Sequence, residues 1–258
     1  MIRGEVNLLK LRLLTINLHK GFSPLNRNFV LPKLRECIHS SGADIIFLQE
    51  VVGENLRKAA RHKDWPVKAQ HEYIAETGGL DCVYGKNAVY TAGHHGNALL
   101  SRFPILLFDQ VNISTNRLEQ RGMLYARIKL PRHKEGLHCI CVHLGLLHRS
   151  RTKQLKKLAK YVQDFIPKDE PLIIAGDFNE WRRNKKDELE TRLLMKDAGL
   201  ELHGRKLRTF PSVLPLFPLD RIYLRGFEVL KARLLRGSCA RLSDHAGFLA
   251  EVSLREPA

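Results

Sequence analysis

The chain contains 258 residues, 44% of them hydrophobic, and carries a formal net charge of +16. This length and composition exclude disorder over most of the chain and predict one globular domain over residues 1–258. The charge favours an anionic partner, and nucleic acid, an acidic membrane surface and a phosphate-bearing substrate all satisfy it.

The cysteines form an odd set of five without CxxC spacing. Cys139 and Cys141 share one face of a predicted strand and are too far apart to bridge comfortably. His143 follows on the same strand, but no second ligand pair of standard spacing exists, so zinc is not expected. We therefore predict a reducing compartment and five reduced cysteines: Cys37, Cys82, Cys139, Cys141 and Cys239.

The N-terminal residues do not resemble a secretion signal, because Glu5, Lys10 and Arg12 interrupt any apolar segment. No stretch of the sequence is long and apolar enough to span a bilayer. We expect a cytoplasmic protein, and peripheral contact with a membrane surface stays open.

The first part of the chain predicts a β-α-β unit. A strand over residues 13–16 ends at Asn17, and a loop follows from Lys20 to Asn28. Apolar residues then recur at helical spacing between Val30 and Ile38, and a second strand covers residues 44–49.

The middle of the chain predicts a change in strand pairing. A basic helix is expected over residues 53–62, followed by a loop-rich binding rim from Glu72 to Gly96, where glycine is frequent. Later strands follow one another without helices between them, which favours antiparallel pairing. These strands are expected over residues 98–101, 105–111, 123–130 and 137–142.

The last part of the chain alternates helices and strands again. An amphipathic helix is predicted over residues 151–166, and its lysine-rich face is interpreted as ordinary solvated surface rather than a dedicated binding surface. A central strand begins at Leu172. It is followed by a charged helix over 187–196, a proline-bearing loop over 203–218, and strands over 221–224, 228–235 and 246–252.

Polar side chains recur where the predicted strands begin or end. Strand ends of this kind converge on one rim of a sheet in α/β proteins, which is the usual place for a binding site. Taken singly, each residue also fits an ordinary turn, helix cap or surface ion pair. The residues are Asn17, Glu50, His143, Asp177, Asn179, Asp220, Asp244 and His245.

These residue types match what the hydrolysis of a phosphoester requires: a cation, an oriented water, a base and hydrogen-bond donors. Glu50 is a natural ligand for Mg²⁺, which binds few carboxylates and keeps several waters. Asn17 offers a carbonyl oxygen to the metal or a donor to phosphate. His245 is a candidate base, because a carboxylate such as Asp220 can orient its second nitrogen.

The remaining polar residues supply the other contacts that the reaction needs. Asp177 is suited to orienting the nucleophile or to binding metal. Asn179 is suited to donating a hydrogen bond to the transition state, and His143 to the phosphate or the leaving group.

Short segments spread over nearly the whole chain resemble the endonuclease/exonuclease/phosphatase superfamily, which includes deoxyribonuclease I, AP endonucleases, neutral sphingomyelinases and inositol phosphatases. The resemblance implies an α/β fold, a four-layered α/β/β/α sandwich of two mixed sheets flanked by helices, and a divalent-metal phosphoesterase. The segments are Thr15-Ile16-Asn17, Phe47-Leu48-Gln49-Glu50, Gly96-Asn97-Ala98-Leu99-Leu100-Ser101, Val142-His143-Leu144, Gly176-Asp177-Phe178-Asn179, Leu219-Asp220-Arg221-Ile222 and Ser243-Asp244-His245.

The same resemblance implies a role for each matching residue. Glu50 binds Mg²⁺, or Mn²⁺ in its place, with help from Asn17 and Asp244. The pair His245 and Asp220 activates water. The residues implied around the substrate phosphate are Asp177, Asn179, His143, Arg121 and Asn97.

Two departures from the family pattern bear on the substrate. His143 lies in a Val-His-Leu setting that resembles the deoxyribonuclease and sphingomyelinase branches more than the AP endonucleases. His19 stands where AP endonucleases carry a second acidic residue, which argues against an abasic-site activity. The roles of His94 and His95 are left open.

Two substrate classes and one non-enzymatic alternative follow. The net charge favours nucleic acid, although no aromatic stacking platform is evident in the loops. Phospholipid is favoured by the loop over residues 209–218, whose apolar side chains either touch a bilayer or pack beneath the loop. The alternative is a catalytically silent basic protein that only binds nucleic acid or an anionic membrane.

Overall fold

The computed structural model describes residues 8–116, 119–131, 133–182 and 188–255. The helices are α1 (Leu31–Ser40), α2 (Leu56–Ala59), α3 (Gln70–Gly78), α4 (His148–Phe165), α5 (Glu188–Arg192) and α6 (Ala198–His203). The strands are β1 (Lys10–Asn17), β2 (Ile45–Asn55), β3 (Asp81–Tyr90), β4 (Gly93–Ser101), β5 (Ile105–Asn112), β6 (Gly122–Leu130), β7 (His133–His143), β8 (Leu172–Asp177), β9 (Lys196–Asp197), β10 (Asp220–Arg225), β11 (Phe227–Leu234) and β12 (Phe248–Leu254).

The strands form two mixed sheets. The first has the order β11-β12-β1-β2-β4-β3, and the second has the order β5-β6-β7-β8-β10-β9. Each sheet contains one parallel pair, β1 with β2 and β7 with β8. Helices α1 and α4 make the two crossovers, because parallel neighbours cannot be joined by a short hairpin.

The apolar side chains divide into three clusters that define four layers. Phe47 of the first sheet and Ile173 of the second belong to the cluster between the sheets. Leu34 of α1 and Ile74 of α3 cover the outer face of the first sheet. Leu158 of α4 covers the outer face of the second sheet. The predicted α/β/β/α sandwich is therefore confirmed.

The strand register brings the predicted polar residues to one edge of the sandwich. Asn17 pairs with Gln49 where β1 and β2 run side by side, so Glu50 follows at the same edge. In the second sheet Asp177 lies between His143 and Asp220 on neighbouring strands. Both parallel pairs therefore end at the edge where the site is expected.

The predicted loop-rich rim over residues 72–96 is wrong, because this segment forms α3 and the β3–β4 hairpin. Its glycines permit close packing as well as turns. Gly79 ends α3 in the left-handed conformation, with φ 58°. A Cβ on Gly96 would lie 1.8 Å from the carbonyl oxygen of Gly85 on the paired strand.

The predicted basic helix over residues 53–62 is also wrong for most of its length. Strand β2 continues to Asn55, whose side chain accepts a hydrogen bond from the amide of Lys58 at 3.0 Å and begins the four-residue α2. The charged helix predicted over residues 187–196 begins outside the described residues, and α5 ends earlier, at Arg192.

The prediction that all five cysteines are reduced is wrong, because Cys37 and Cys239 form a disulfide. Cys82, Cys139 and Cys141 are free. Cys37 lies on α1 and Cys239 in a short 3-10 helix, 202 residues later, so no local spacing signals the pair. The inference of a reducing compartment loses its basis. Within the described residues, no helix combines the length and the apolar sequence that crossing a bilayer requires.

Reduction of the Cys37–Cys239 bond is expected to lower the free energy of unfolding by about 2–4 kcal/mol, because the bond closes a long loop in the unfolded chain. Urea unfolding with and without dithiothreitol measures this difference. Cys37→Ser should reproduce the effect of dithiothreitol, and Cys82→Ser, at a free cysteine, should not. An unfolding midpoint that is the same in both redox conditions would contradict the assignment.

Candidate active site

Asp177, at the end of β8, is buried and is the meeting point of the predicted site residues. Its Oδ2 accepts a hydrogen bond from Asn17 Nδ2 at 3.2 Å. The same oxygen lies 3.5 Å from Nε2 of His143 and 3.8 Å from Nε2 of His245. Its Oδ1 accepts from the backbone amide of Asn179 at 2.9 Å. The structure thus brings together five residues from four separate segments of the sequence.

The backbone around Asp177 has two residues with positive φ. Gly176 has φ 145°, and a Cβ there would lie 1.9 Å from the carbonyl oxygen of Val142, so only glycine fits. Asn179 has φ 49°, and its Nδ2 donates to the carbonyl oxygen of Leu144 at 2.8 Å. This bond ties the turn after β8 to the end of β7.

His245 and Asp220 form a buried pair beside Asp177. His245 Nδ1 lies 2.8 Å from Asp220 Oδ2, which leaves Nε2 on the side facing Asp177. The Ser243 hydroxyl accepts from the His245 amide at 3.3 Å and donates to the Asn17 carbonyl oxygen at 2.6 Å. The imidazole is therefore fixed by its side-chain partner and by its own backbone, as a general base needs to be.

The buried carboxylates control the proton affinity of this cluster. Burial lowers the pKa of His245, but Asp220 and Asp177 outweigh that effect and raise it to about 10. Burial raises the pKa of Asp177 to about 7 against the opposing charge of His245. Both groups therefore hold a proton more tightly than they would in water.

Glu50 lies in an irregular part of β2, where the register with β4 shifts between Leu48 and Val51. Its φ of 53° is rare for a residue with a side chain, and such strained residues concentrate at functional sites. Its Oε2 lies 3.2 Å from Lys20 Nζ. Burial raises the pKa of Glu50, but His143 and Lys20 lower it more, to about 2. Glu50 is therefore ionised at neutral pH.

The chemistry of these donors fits a divalent cation. Glu50 Oε2 is buried, charged and without a well-directed hydrogen bond among the described residues, and carboxylate oxygens are the ligands that Mg²⁺ prefers. A second group of possible ligand atoms, from Asp177, Asp220 and His245, lies within 4.8 Å of one another. The ligand types available are oxygen-rich, as Mg²⁺ or Mn²⁺ requires.

Asp244, predicted to assist the metal, lies at the margin of the cluster. Its Oδ1 lies 3.5 Å from His19 Nδ1 and 3.2 Å from the Ser243 hydroxyl oxygen. The same hydroxyl donates to the Asn17 carbonyl oxygen, so Ser243 lies between Asp244 and the buried Asn17.

Arg121 and Asn97 were both predicted to contact phosphate, and they lie in different settings. Arg121 Nε donates to the Leu144 carbonyl oxygen at 3.2 Å, and its terminal nitrogen pairs with Glu119 at 3.1 Å. Asn97 is buried, and its Nδ2 is directed at the carbonyl oxygens of Gly122, at 3.0 Å, and Cys141, at 3.4 Å. Those bonds join the two sheets and occupy the donor that a phosphate contact would use.

Three cationic or titratable residues near Glu50 were not assigned to the site from the sequence, which left the role of one of them, His95, open. Lys20 forms its ion pair, and Lys58 and His95 lie within electrostatic range of it. Burial, together with the nearby charge of Lys20, lowers the pKa of His95 to about 4. The neighbouring His94 bonds the Tyr84 hydroxyl at 3.0 Å. No spacing rule relates these positions to Glu50, so the sequence carries no signal for them.

His143 is buried, and burial lowers its pKa well below the usual value, with Arg121 acting in the same direction. It is therefore a neutral imidazole at neutral pH. Its Nε2 faces Asp177, which suits a hydrogen-bond donor better than a cation.

Known proteins resemble this chain in sequence and in structure. Escherichia coli K12 YbhP, which is described as uncharacterized, is 42% identical over 244 residues, or 94% of this chain and 96% of its own. A Beutenbergia cavernae endonuclease/exonuclease/phosphatase matches with a TM-score of 0.73 at 17% identity, over 96% of this chain and 72% of that one. D. rerio TDP2, solved with a single strand DNA product, matches with a TM-score of 0.66 at 19% identity, over 94% and 98%.

The two structural matches have sequence identities below 20%, so they show a shared fold alone. A sequence model described as the Endonuclease/Exonuclease/phosphatase family matches residues 14–245, a span that includes every residue of the site described above. The chain belongs to the endonuclease/exonuclease/phosphatase family.

Proposed function

We propose that the protein is a metal-dependent phosphodiesterase in which His245 activates the attacking water. The observation that carries this proposal is the buried bond between His245 Nδ1 and Asp220, which leaves Nε2 directed at Asp177. A histidine oriented by a carboxylate, with its other nitrogen free for a substrate or water, is the arrangement that general base catalysis requires.

Each member of the cluster has a distinct part in the proposed reaction. Asp220 fixes the tautomer of His245 and increases its basicity. Asp177 faces Nε2 of the same ring and orients the water that His245 deprotonates. Asn17 holds Asp177 in place through its amide nitrogen.

The phosphate contacts in the proposal come from three donors around Leu144. His143, as a neutral imidazole, donates to a phosphate oxygen or to the leaving group. Asn179 bonds the Leu144 carbonyl oxygen with one of its two amide hydrogens, and the second donates to the phosphate in the proposed reaction. Arg121, anchored to the same carbonyl oxygen, supplies positive charge for the phosphate.

Glu50 would hold a Mg²⁺ or Mn²⁺ ion, with Asn17 and Asp244 assisting. When bound there, the ion neutralises the non-bridging oxygens of the phosphate. Lys20, whose ammonium lies 3.2 Å from Glu50 Oε2, offsets the charge of Glu50.

Two kinds of phosphodiester fit the proposed reaction. The D. rerio TDP2 structure contains a single strand DNA product, and this fold together with the net charge of +16 supports nucleic acid. A phospholipid headgroup has the same phosphodiester linkage and is equally accessible to a basic site. Bis-p-nitrophenyl phosphate carries the shared linkage and tests the chemistry without choosing between them.

His245→Ala is expected to lower kcat/KM for bis-p-nitrophenyl phosphate by about 10³-fold, because the variant lacks the general base. Release of p-nitrophenolate measures the rate. His203→Ala is the matched control, since this exposed histidine bonds the Ala232 carbonyl oxygen on β11 and its loss should leave the rate unchanged. Wild-type protein that binds DNA or vesicles but hydrolyses nothing with Mg²⁺ or Mn²⁺ would instead support the binding-protein alternative.

The pH dependence of kcat/KM should identify His245 as the base. The base must be deprotonated, so activity is expected to rise with pH through the neutral range, towards the pKa of about 10 that the two carboxylates produce. Asp220→Asn removes the carboxylate that raises the pKa of His245 more. The rising limb should therefore shift to lower pH, with a lower maximum rate. A limb at the same pH in both proteins would show that another group titrates.

Removal of divalent ions by EDTA is expected to abolish hydrolysis, and Mg²⁺ should restore it. Glu50→Gln should need a higher Mg²⁺ concentration, because a neutral amide binds the ion more weakly than a carboxylate. Mg²⁺ should also raise the melting temperature of the wild type more than that of the variant, because only the folded state binds the ion. Glu54→Gln, at an exposed position of the same strand, is the control. Equal responses of wild type and Glu50→Gln would remove Glu50 from the metal site.

A further inference from the structure

Two exposed apolar loop tips lie beside the candidate active site. In the loop between β7 and α4, Leu146 is 57% exposed and Leu147 is 65% exposed. In the loop before β10, Val213 is 53% exposed and Leu214 is 65% exposed. Exposed aliphatic side chains that gather on two tips at the margin of a cleft suit a contact with something apolar.

The tip that contains Val213 and Leu214 is bonded directly to the segment that carries His245. The Ser212 amide donates to the Asp244 carbonyl oxygen at 2.7 Å, and the Ser212 hydroxyl donates to the Ser243 carbonyl oxygen at 2.6 Å. The Phe210 ring lies 4.9 Å from the His245 ring. The tip therefore stands at the margin of the cleft.

The tip that contains Leu146 and Leu147 is bonded to the other side of the cleft. Two residues before it, the Leu144 carbonyl oxygen accepts hydrogen bonds from Asn179 and Arg121. Arg151 donates to the Leu146 carbonyl oxygen and pairs with Glu180 at 3.4 Å.

A row of contacts joins the two tips into one surface. Glu180, paired with Arg151, is followed by Trp181. The Trp181 ring packs on Phe217 at 5.0 Å and on Phe210 at 5.7 Å, under the second tip. We call the four exposed residues the apolar rim: Leu146, Leu147, Val213 and Leu214.

The apolar rim is not explained by packing inside the loop. Phe210 and Phe217 form a β-bridge and pack beneath the turn against Trp181. Val213 and Leu214 lie at the outer end of that turn and remain exposed. The loop therefore divides its apolar residues between an inner layer, which stabilises the turn, and an outer pair, which does not.

The chain around the apolar rim is basic. Residues 144–163 contain arginines and lysines and no acidic residue, and the same holds for residues 205–219. Arg149, Lys153 and Arg208 are among their exposed cations. The partner must therefore accept aliphatic side chains and carry negative charge, as an anionic bilayer does.

Nucleic acid matches the positive charge but not the aliphatic side chains, because its bases bind to open aromatic faces. The aromatic rings near Lys58 are already packed on one another, with Phe29 stacked on Trp65 at 5.1 Å and Phe22 edge-on to Phe29 at 5.4 Å. The Lys58 ammonium lies 4.0 Å from the centre of the Phe22 ring and covers it.

We infer that the apolar rim docks on the surface of an anionic phospholipid bilayer, with its four aliphatic side chains inserted among the headgroups and the flanking cations on the lipid phosphates. Docking in this orientation turns the cleft towards the headgroup phosphodiesters. That these are hydrolysed rests on the proposed function, whereas the docking itself does not.

Flotation with phospholipid vesicles in the presence of EDTA tests the docking independently of hydrolysis. The variant Leu147→Asp/Leu214→Asp places a charge on each tip. Leu106→Asp/Leu107→Asp is the matched control, with the same change in net charge at positions that are 53% and 48% exposed. The control positions lie at the Ile105 end of β5, whereas the Asn112 end pairs with Gly122 near the site. Circular dichroism melting confirms that both variants fold.

The wild type and the control are expected to bind vesicles that contain phosphatidylglycerol and not vesicles of phosphatidylcholine alone. The rim variant should lose at least about tenfold in binding, since charged tips cannot enter the interface. Failure of the wild type to bind the anionic vesicles, or equal binding by both variants, would overturn the inference. Loss of hydrolysis in wild-type protein that still binds vesicles would instead reject the proposed function and leave the docking intact.

Discussion

The buried Asp177 carboxylate sets the main constraint on this molecule. A carboxylate removed from water is costly unless hydrogen bonds and opposite charges compensate it. Its partners come from both sheets. Asn17 lies on β1 of the first sheet, and His143 lies on β7, next to Asp177 in the second sheet. The bond between His245, just before β12, and Asp220 on β10 crosses the sheets in the same way. The site therefore exists only when the two sheets pack in the observed register.

This arrangement explains why the site could be predicted from strand ends. Asn17, His143 and Asp177 each end a largely apolar strand, and parallel strands bring such ends to a common edge. The order of strands was not needed for that inference. Glu50 followed from the same rule, although its left-handed backbone and its ion pair with Lys20 did not, because both depend on an irregularity in β2.

Predictions from the sequence were wrong or incomplete where long-range contacts or backbone packing determine the structure. Cys37 and Cys239 are 202 residues apart, and their pairing depends on how α1 meets the chain before β12. The glycines between residues 78 and 96 indicated loops, whereas Gly96 lies in a strand whose neighbour leaves no room for a Cβ. The bonds of the Asn97 amide nitrogen to carbonyl oxygens of the second sheet were likewise not evident from the sequence, and its contact with phosphate stays a prediction.

Charged residues are distributed unevenly between the cleft and the surface around it. The site concentrates carboxylates inside the protein, whereas the exposed segments around it are rich in arginine and lysine, which would attract a polyanion towards the cleft. Exposed aliphatic tips beside these cations add a contact that a bilayer can provide. The buried carboxylates serve the chemistry of the site, and the exposed arginines and lysines around it attract the anionic partner.

The proposed role of His245 depends most directly on its charge state between Asp220 and Asp177. Titration of the imidazole nitrogens by ¹⁵N NMR would measure it in the intact protein. We predict that His245 titrates well above the ordinary histidine value and stays an imidazolium through neutral pH, because Asp220 and Asp177 outweigh the effect of burial on its pKa. A titration at the ordinary histidine value of about 6.5 would contradict it, because His245 would then not be held by the two buried carboxylates.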